Sequence, residues 1–187
     1  MPARRWPWWA EVVAAAVLAV LVTVGLRLLV VQAFVIPTAS MQPLLQPGDR
    51  VAVLRLPALT GDVQRGDVVV FDGRGTFPDG GDYAKRVVGV AGDRVACCAA
   101  DGRLTVNGAP LEEPYLYPGD RPSDLRFDVV VPQGRLWVLG DHRSVSADSR
   151  SLLGRPGGGM VRQDRVTGRV VAVLWPVDRI GIVERTP

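Results

Sequence analysis

The chain has 187 residues, 48% of them hydrophobic, and a formal net charge of +3 at pH 7. This length suits one compact domain with an appendage and leaves little room for two domains. Much of the positive charge precedes residue 35, so the rest of the chain is close to neutral, which argues against a nucleic-acid-binding protein.

The chain begins with an apolar segment. Residues 10–31 contain one acidic and one basic residue, and as a helix they would be about 33 Å long, enough to cross a hydrocarbon core of ~30 Å. Arginines and tryptophans precede them, as at the cytoplasmic face of a membrane helix. We therefore predict a cytoplasmic tail (residues 1–9), a single transmembrane anchor (residues 10–33) and an extracytoplasmic domain (residues 34–187).

A cleaved signal peptide is the alternative for this segment. Val31-Gln32-Ala33 resembles a small-residue cleavage site. The apolar core of a signal peptide spans only about 7 to 15 residues, however, so the greater length of this segment favours a retained anchor.

A candidate nucleophile follows the anchor. Ser40 lies between Pro37 and Pro43, in a segment too short and rigid for a helix, which we expect to hold its hydroxyl on extended, accessible backbone. A serine near prolines is otherwise an ordinary loop residue. Its assignment as a nucleophile therefore depends on finding a base that could activate it.

The chain beyond this segment is predicted to be mainly β. Short valine-rich runs alternate with turn dipeptides such as Gly48-Asp49, Gly66-Asp67 and Asn107-Gly108, and no long helical period appears after the anchor. We predict antiparallel sheets folded into a barrel-like domain behind the transmembrane helix. The predicted strands are residues 51–54, 68–71, 86–90, 104–106, 135–139, 169–174 and 180–183.

Lys85 is the only lysine among 22 basic residues. Unlike a guanidinium, a buried amine can be neutral near physiological pH and accept a proton. In a strand Tyr83 and Lys85 share one face and Arg86 takes the other. We expect burial, aided by the like charge of Arg86, to lower the pKa of Lys85. The pattern indicates a general base that forms a Ser/Lys dyad with Ser40, although a coding bias toward Arg would also leave one Lys by chance.

Cys97 and Cys98 are the only cysteines and are adjacent. Neighbouring Cα atoms lie about 3.8 Å apart, less than the usual ~4.4 to 6.8 Å of a disulfide, so a bond between them would be strained. We therefore expect two separately packed thiols, with a vicinal disulfide as the alternative. Because the chain has a single His, His142, we predict no zinc site, and we expect no cofactor.

Residues 140–150, with the sequence GDHRSVSADSR, concentrate hydroxyl and charged side chains. Alone, such a segment is typical of a polar surface turn. Together with Ser40 and Lys85, it is predicted to supply the side chains that orient the lysine.

Four motifs together resemble the bacterial type I signal peptidases. They occur in that family's order behind a similar anchor, over roughly residues 34–183. Four motifs in order are far more specific than any one of them. They are Ser40-Met41-x-Pro43, Arg65-Gly66-Asp67-Val68-Val69-Val70-Phe71, Lys85-Arg86-Val87-Val88-Gly89-x-x-Gly92-Asp93 and Gly140-Asp141-x-Arg143-x-x-Ser146-x-Asp148-Ser149-Arg150.

The resemblance implies a membrane-bound serine endopeptidase that removes signal peptides from exported preproteins. In that family's mechanism Ser40 would attack the scissile carbonyl and Lys85 would take its proton. The backbone N–H of Ser40 and the hydroxyl of Thr38 would stabilise the oxyanion, and Ser146 would hydrogen-bond to Lys85. The implied partners are preprotein signal peptides and membrane lipid, with no nucleic acid and no metal.

The resemblance also assigns supporting residues. Ile36 and Ala84 would line the small pockets that accept Ala at Ala-x-Ala sites, with the substrate added as an extended strand. The salt-bridged residues around the site would be Arg86, Asp141, Asp148 and Arg150. The chain departs from the family pattern at His142, where Asn is usual, and at Thr38, where Ser is more familiar.

Three alternatives remain at this stage. His142 could act as the base of Ser40, with Asp141 or Asp148 behind it. The chain could be another Ser/Lys processing peptidase with a dedicated substrate. It could also be a non-catalytic, membrane-anchored β-domain that binds partners at the cell surface.

Overall fold

The computed structural model describes residues 7–55, 63–78 and 80–186, without the side chains of residues 26–29. One helix, α1 (Trp8–Val30), precedes a domain built mainly of strands, which confirms the predicted fold class. The strands are β1 (Val31–Val35), β2 (Arg50–Arg55), β3 (Val68–Asp72), β4 (Asp82–Gly89), β5 (Arg94–Cys97), β6 (Leu104–Val106), β7 (Ala109–Pro110), β8 (Phe127–Val130), β9 (Arg135–Leu139), β10 (Val161–Arg162), β11 (Val166–Trp175) and β12 (Gly181–Ile182).

Over the residues Trp8–Gly25, α1 lies outside the hydrophobic core of the domain. The window Trp8–Gly25 has a mean hydropathy of 2.0 and none of it is buried. The helix ends at Val30, three residues before the end of the predicted anchor. Residues 31–33 instead belong to β1, whose Val31 pairs with Leu54 of β2. The hydrophobicity of residues 31–33 therefore does not distinguish the end of a membrane helix from an edge strand.

The larger sheet has eight strands in the order β1-β2-β11-β3-β4-β9-β10, with β12 paired to β11. The pairings are antiparallel. β3 is apolar along nearly its whole length because both of its faces are covered: Val68 and Val70 pack in one core cluster, and Val69 and Phe71 in another. This central strand carries β4, which holds Lys85, as its neighbour.

A smaller sheet has four strands in the order β7-β6-β5-β8. It shares a core with the larger sheet around Trp137, which is fully buried beside Val95 and Leu104. The two sheets meet at the end of β4. A Cβ added at Gly89 would lie 2.6 Å from a methyl carbon of Val95, so only glycine allows this approach.

The two cysteines differ from the expectation. The structure joins Cys97 and Cys98 by a disulfide, whereas the sequence led us to expect two separately packed thiols. That expectation treated the Cα separation as decisive, but the bond is present at a separation that is shorter still. The peptide bond between them is cis, and their Cα atoms are 3.0 Å apart.

The contact at Gly89 gives a test of the fold. We expect Gly89→Ala to lower the free energy of unfolding by about 1 to 3 kcal/mol, because the added methyl overpacks the junction of the two sheets. Gly154→Ala is the matched control, since nothing lies within 4 Å of a Cβ at that position. Thermal unfolding of the detergent-solubilised chain measures both. Equal stability of the two variants would contradict this packing.

Candidate active site

The structure brings Ser40 and Lys85 together. Lys85 lies on β4 and Ser40 in a short 3-10 turn, Ala39–Met41, 45 residues earlier in the chain. The Lys85 Nζ donates a hydrogen bond of 2.7 Å to the Ser40 Oγ. Their exposed fractions are only 3% and 7%. A primary amine and a hydroxyl in direct contact and shielded from water can exchange a proton.

The backbone around Ser40 is held from both sides. The N–H of Ile36 donates to the Asp49 carbonyl oxygen (2.9 Å), which continues the pairing of β1 with β2. Met41 at the end of the turn and Leu45 beyond it are almost fully buried in the core. Apolar anchors on its carboxyl side and strand pairing on its amino side therefore fix the position of the serine.

Burial lowers the pKa of Lys85 from 10.5 to about 8. The carboxylates of Asp148 and Asp141 oppose this shift by favouring the ammonium. The expected contribution of Arg86 was wrong, because its guanidinium pairs with Asp141 and the charges acting on Lys85 are the two carboxylates. Near pH 8 a substantial fraction of the amine is therefore neutral and able to accept a proton.

Thr38 lies beside the same hydroxyl. Its Oγ1 is 3.2 Å from the Ser40 Oγ, a hydrogen-bonding distance in which either atom can donate. A second hydroxyl next to the first can donate to an oxyanion that forms there.

Ser146 does not form the hydrogen bond to Lys85 that the family resemblance implied. Its Oγ is buried without a hydrogen-bond partner in the part of the chain that the structure describes. It packs instead against Gly140, where an added Cβ would lie 2.2 Å from the Ser146 Oγ and 2.5 Å from the Ser40 carbonyl oxygen. Because Gly140 has no side chain, both Ser146 and the backbone of Ser40 can pack against it. The amine of Lys85 donates to Ser40 and not to Ser146.

A cleft of about 530 Å³ opens beside this pair. Residues 36–41 form one wall and residues 81–85 the other, with Val145 and Ala147 at the side, so most of the lining is apolar. Ile36 and Ala84 both line it. β4 pairs with β3 along Asp82 to Arg86 but with β9 only from Arg86 onward, which leaves one backbone edge of residues 82–85 open to a further strand.

Two buried ion pairs lie around the site. Arg86 donates to both carboxylate oxygens of Asp141, at 2.8 and 2.7 Å, and Arg150 donates to both of Asp148, at 2.9 and 2.8 Å. The Asp148 carboxylate also accepts from the N–H of Gly140 at 3.1 Å. The four residues assigned to salt bridges are thus paired with one another and with the backbone next to Ser146.

Sequence reasoning missed a third buried pair. Arg143 donates to the carbonyl oxygens of Gly140 (2.8 Å) and Pro122 (2.6 Å), and it forms an ion pair with Glu113. Arg143 belongs to the motif at residues 140–150, but its residue type and position there did not indicate a role. Glu113 follows another glutamate, and nothing in the sequence distinguishes the two.

The ring of His142 is not placed to act as the base of Ser40. It stacks on Tyr117, with ring centroids 3.8 Å apart, and its Nδ1 has no hydrogen-bond partner among the described residues. Its backbone N–H donates to the Ser40 carbonyl oxygen at 3.1 Å. The group that contacts the Ser40 hydroxyl is the amine of Lys85, so the geometry favours the Ser/Lys pair over the His142 alternative.

Within the same described ranges, no three His, Cys, Asp or Glu side chains come together as a metal site would require. The chemistry that the arrangement supports is that of a hydroxyl nucleophile with an amine base.

The chain is similar to known proteins over most of its length. The family described as "Signal peptidase, peptidase S26" matches residues 9–175. The chain is 34% identical to a probable signal peptidase I of Mycobacterium leprae, over 96% of this chain and 80% of that protein. It is 34% identical to a signal peptidase I of Mycobacterium tuberculosis (90% and 73% covered) and 35% identical to one of Bacillus caldolyticus (92% and 91%).

The position of Lys85 predicts how Ser40 should react. We expect acylation of Ser40 by a serine-directed reagent to accelerate with rising pH and to level off above a midpoint near pH 8, because only the neutral amine can accept the proton. Mass spectrometry of the intact chain gives the rate at each pH, and Lys85→Arg should remove the acceleration. A midpoint near the ordinary 10.5 of lysine would contradict the role assigned to burial.

Proposed function

Because this chain belongs to the signal peptidase family, peptidase S26, we propose that it cleaves signal peptides from exported preproteins with Ser40 as nucleophile and Lys85 as general base. It is a serine endopeptidase of the signal peptidase I type, and this membership overrules the alternative of a non-catalytic β-domain. The observation that carries the proposed mechanism is the buried 2.7 Å contact between the amine and the hydroxyl.

In the proposed acylation step, the Ser40 Oγ attacks the scissile carbonyl carbon while its proton passes to the neutral Lys85 Nζ. The resulting ammonium gives the proton to the nitrogen of the leaving mature chain as the C–N bond breaks. The signal peptide is then held as an ester on Ser40. Lys85, neutral again, takes a proton from water, whose oxygen attacks the ester. As the ester C–O bond breaks, the ammonium returns this proton to the Ser40 Oγ. The signal peptide leaves as a carboxylic acid, which ionises to a carboxylate in water.

We assign the oxyanion donors to the Ser40 backbone N–H and the Thr38 hydroxyl. Both belong to the segment that carries the nucleophile, and the Thr38 Oγ1 lies 3.2 Å from the Ser40 Oγ. A preorganised donor of this kind contributes on the order of 10²-fold to 10³-fold in rate.

Ser146 is proposed to orient Lys85 during proton transfer rather than in the free enzyme. A buried hydroxyl without a partner costs about 1 to 3 kcal/mol. A rotation that brings the Ser146 Oγ to the amine would remove this cost once Ser40 has been acylated and no longer accepts from Lys85.

The cleft accounts for the proposed preference for Ala-x-Ala sites. A substrate added as a strand along the open edge of residues 82–85 places alternate side chains on the same face, so its first and third residues before the cut point to the same side. Ile36 and Ala84 line the cleft from its two walls, and in this proposal they leave room there only for small side chains.

The exposed apolar surface of α1 supports membrane anchoring. β1 and residues 36–38 separate the end of α1 from the turn that holds Ser40, which keeps the nucleophile within about 33 Å of the helix end at ~3.3 Å per extended residue. We propose a single-pass protein with its N-terminus in the cytoplasm and its catalytic domain outside. A membrane-inserted signal peptide would then present its cleavage site at the same boundary.

Cleavage of a purified preprotein with an Ala-x-Ala site tests the mechanism. We expect Ser40→Ala and Lys85→Arg to lower kcat/KM by at least about 10³-fold while remaining folded, because one removes the nucleophile and the other replaces an amine that can be neutral with a guanidinium that stays charged. Ser144→Ala, an exposed serine in the 140–150 segment, is the control. Full cleavage by Lys85→Arg, or its loss in His142→Ala to a similar extent, would favour the His142 mechanism.

Protease digestion of intact cells tests the orientation. The cytoplasmic membrane is kept closed while its outer surface is made accessible to protease. We then expect added protease to degrade the domain that follows α1. The same domain should be protected in inverted membrane vesicles. Protection in intact cells with degradation in inverted vesicles would reverse the proposed topology.

A further inference from the structure

Residues 113–117 lie between β7 and β8, outside the larger sheet, and contact the 140–143 loop of the active site at several points. We propose that this 113–117 segment positions the Ser40 and Lys85 side chains relative to each other by fixing that loop. The inference rests on the proposed function of the two residues. It assigns a role to Glu113, Tyr115 and Tyr117, which neither the motifs nor the comparisons single out.

The first contact is the ion pair of Glu113 with Arg143. The side chains are 3% and 2% exposed, so the attraction between them is weakly screened by water. Arg143 in turn donates to the carbonyl oxygen of Gly140, at 2.8 Å. Gly140 packs directly against the carbonyl oxygen of Ser40. Through Arg143, Glu113 therefore holds the Gly140 backbone that contacts Ser40.

The second contact is the ring of Tyr115, which lies 4.0 Å below the guanidinium carbon of Arg86. Arg86 follows Lys85 on β4 and pairs with Asp141 of the loop. The Tyr115 hydroxyl donates to Glu113 at 3.2 Å, so the first two contacts are themselves joined. Tyr115 thus holds the pair that connects the strand of the base to the loop.

The third contact is Tyr117. Its backbone N–H donates to the Asp141 carbonyl oxygen at 3.0 Å, and its ring stacks on His142. The N–H of His142 donates to the Ser40 carbonyl oxygen at 3.1 Å. Tyr117 therefore orients the one loop residue that hydrogen-bonds to the backbone of the nucleophile.

Three consecutive loop residues, Asp141, His142 and Arg143, thus contact the 113–117 segment directly, and two of them lead to the two members of the dyad. Asp141 leads to Lys85 through Arg86, and His142 leads to Ser40. Loss of a support would let the two side chains separate. A misplacement of about 1 Å between reacting groups can lower the rate by roughly 10²-fold.

The experiment measures kcat and KM of the full chain in detergent with an Ala-x-Ala preprotein. We expect Glu113→Gln to lower kcat about tenfold or more with KM within about twofold, because neither wall of the cleft includes residue 113. Glu112→Gln is the matched control. Its side chain is 79% exposed, pairs with Arg103, and should leave both constants unchanged.

Tyr117 provides a second, independent comparison. Tyr117→Phe keeps the stacked ring and the backbone N–H and should keep kcat, whereas Tyr117→Leu removes the ring and should lower it. Asp93→Asn controls for stability, because Asp93 is also buried but contacts Arg65, Asn107 and Val90 instead of the loop. All rates are expressed per folded molecule.

The inference is overturned if Glu113→Gln and Tyr117→Leu retain the kcat of the wild type. It is also overturned if they lose no more kcat than Asp93→Asn at an equal loss of thermal stability. If Glu113→Gln does not fold, the comparison of Tyr117→Phe with Tyr117→Leu decides. Failure of the wild type to cleave would instead reject the proposed function, and the acylation rate of Ser40 would then replace kcat as the measure of positioning.

Discussion

The buried hydrogen bond between Lys85 and Ser40 is the constraint on which the other features of the site depend. An amine can accept a proton only when it is neutral, and solvation by water stabilises its charged form. The fold removes the water by placing Lys85 on β4, next to the central strand β3, and by closing the 140–150 segment over it. The opposing pull of Asp141 and Asp148 keeps its pKa near 8. Both residues of the dyad are therefore positioned by packing before a substrate binds.

The choice between Arg and Lys follows the same logic. Arg86, Arg143 and Arg150 each make two or more hydrogen bonds to carboxylate or carbonyl oxygens in buried surroundings, where a guanidinium keeps its charge. Lys85 has no carboxylate within salt-bridge distance in the described structure, and it donates to a hydroxyl. Permanent charges thus surround the site, and the chain's one lysine, whose amine can lose its proton, lies where the proposed mechanism moves a proton.

Glycine and local packing bring the loops close enough for this chemistry. Gly140 lets Ser146 and the backbone of Ser40 meet, and Gly89 lets the smaller sheet pack against the end of β4. The smaller sheet in turn bears the 113–117 segment, which contacts Arg86 and the 140–143 loop. A part of the fold that does not line the cleft is thereby coupled to the geometry of the dyad.

The sequence alone determined the features that depend on local chemistry. The length and composition of the apolar segment indicate a membrane helix, the spacing of turn dipeptides indicates short strands, and a lone lysine within a strand indicates an unusual amine. Four ordered motifs add Ser40 and the paired charges, and the family resemblance that they carry implies the role of Thr38. Only the tertiary structure decided the rest: that residues 31–33 leave the helix and pair with β2, that Cys97 and Cys98 are bonded, that Ser146 lacks its expected partner, and that Glu113 rather than Glu112 reaches the active site. The physical reason is that a local pattern records which face a side chain takes and where the chain turns, whereas contacts between loops some 30 residues apart depend on how the two sheets pack.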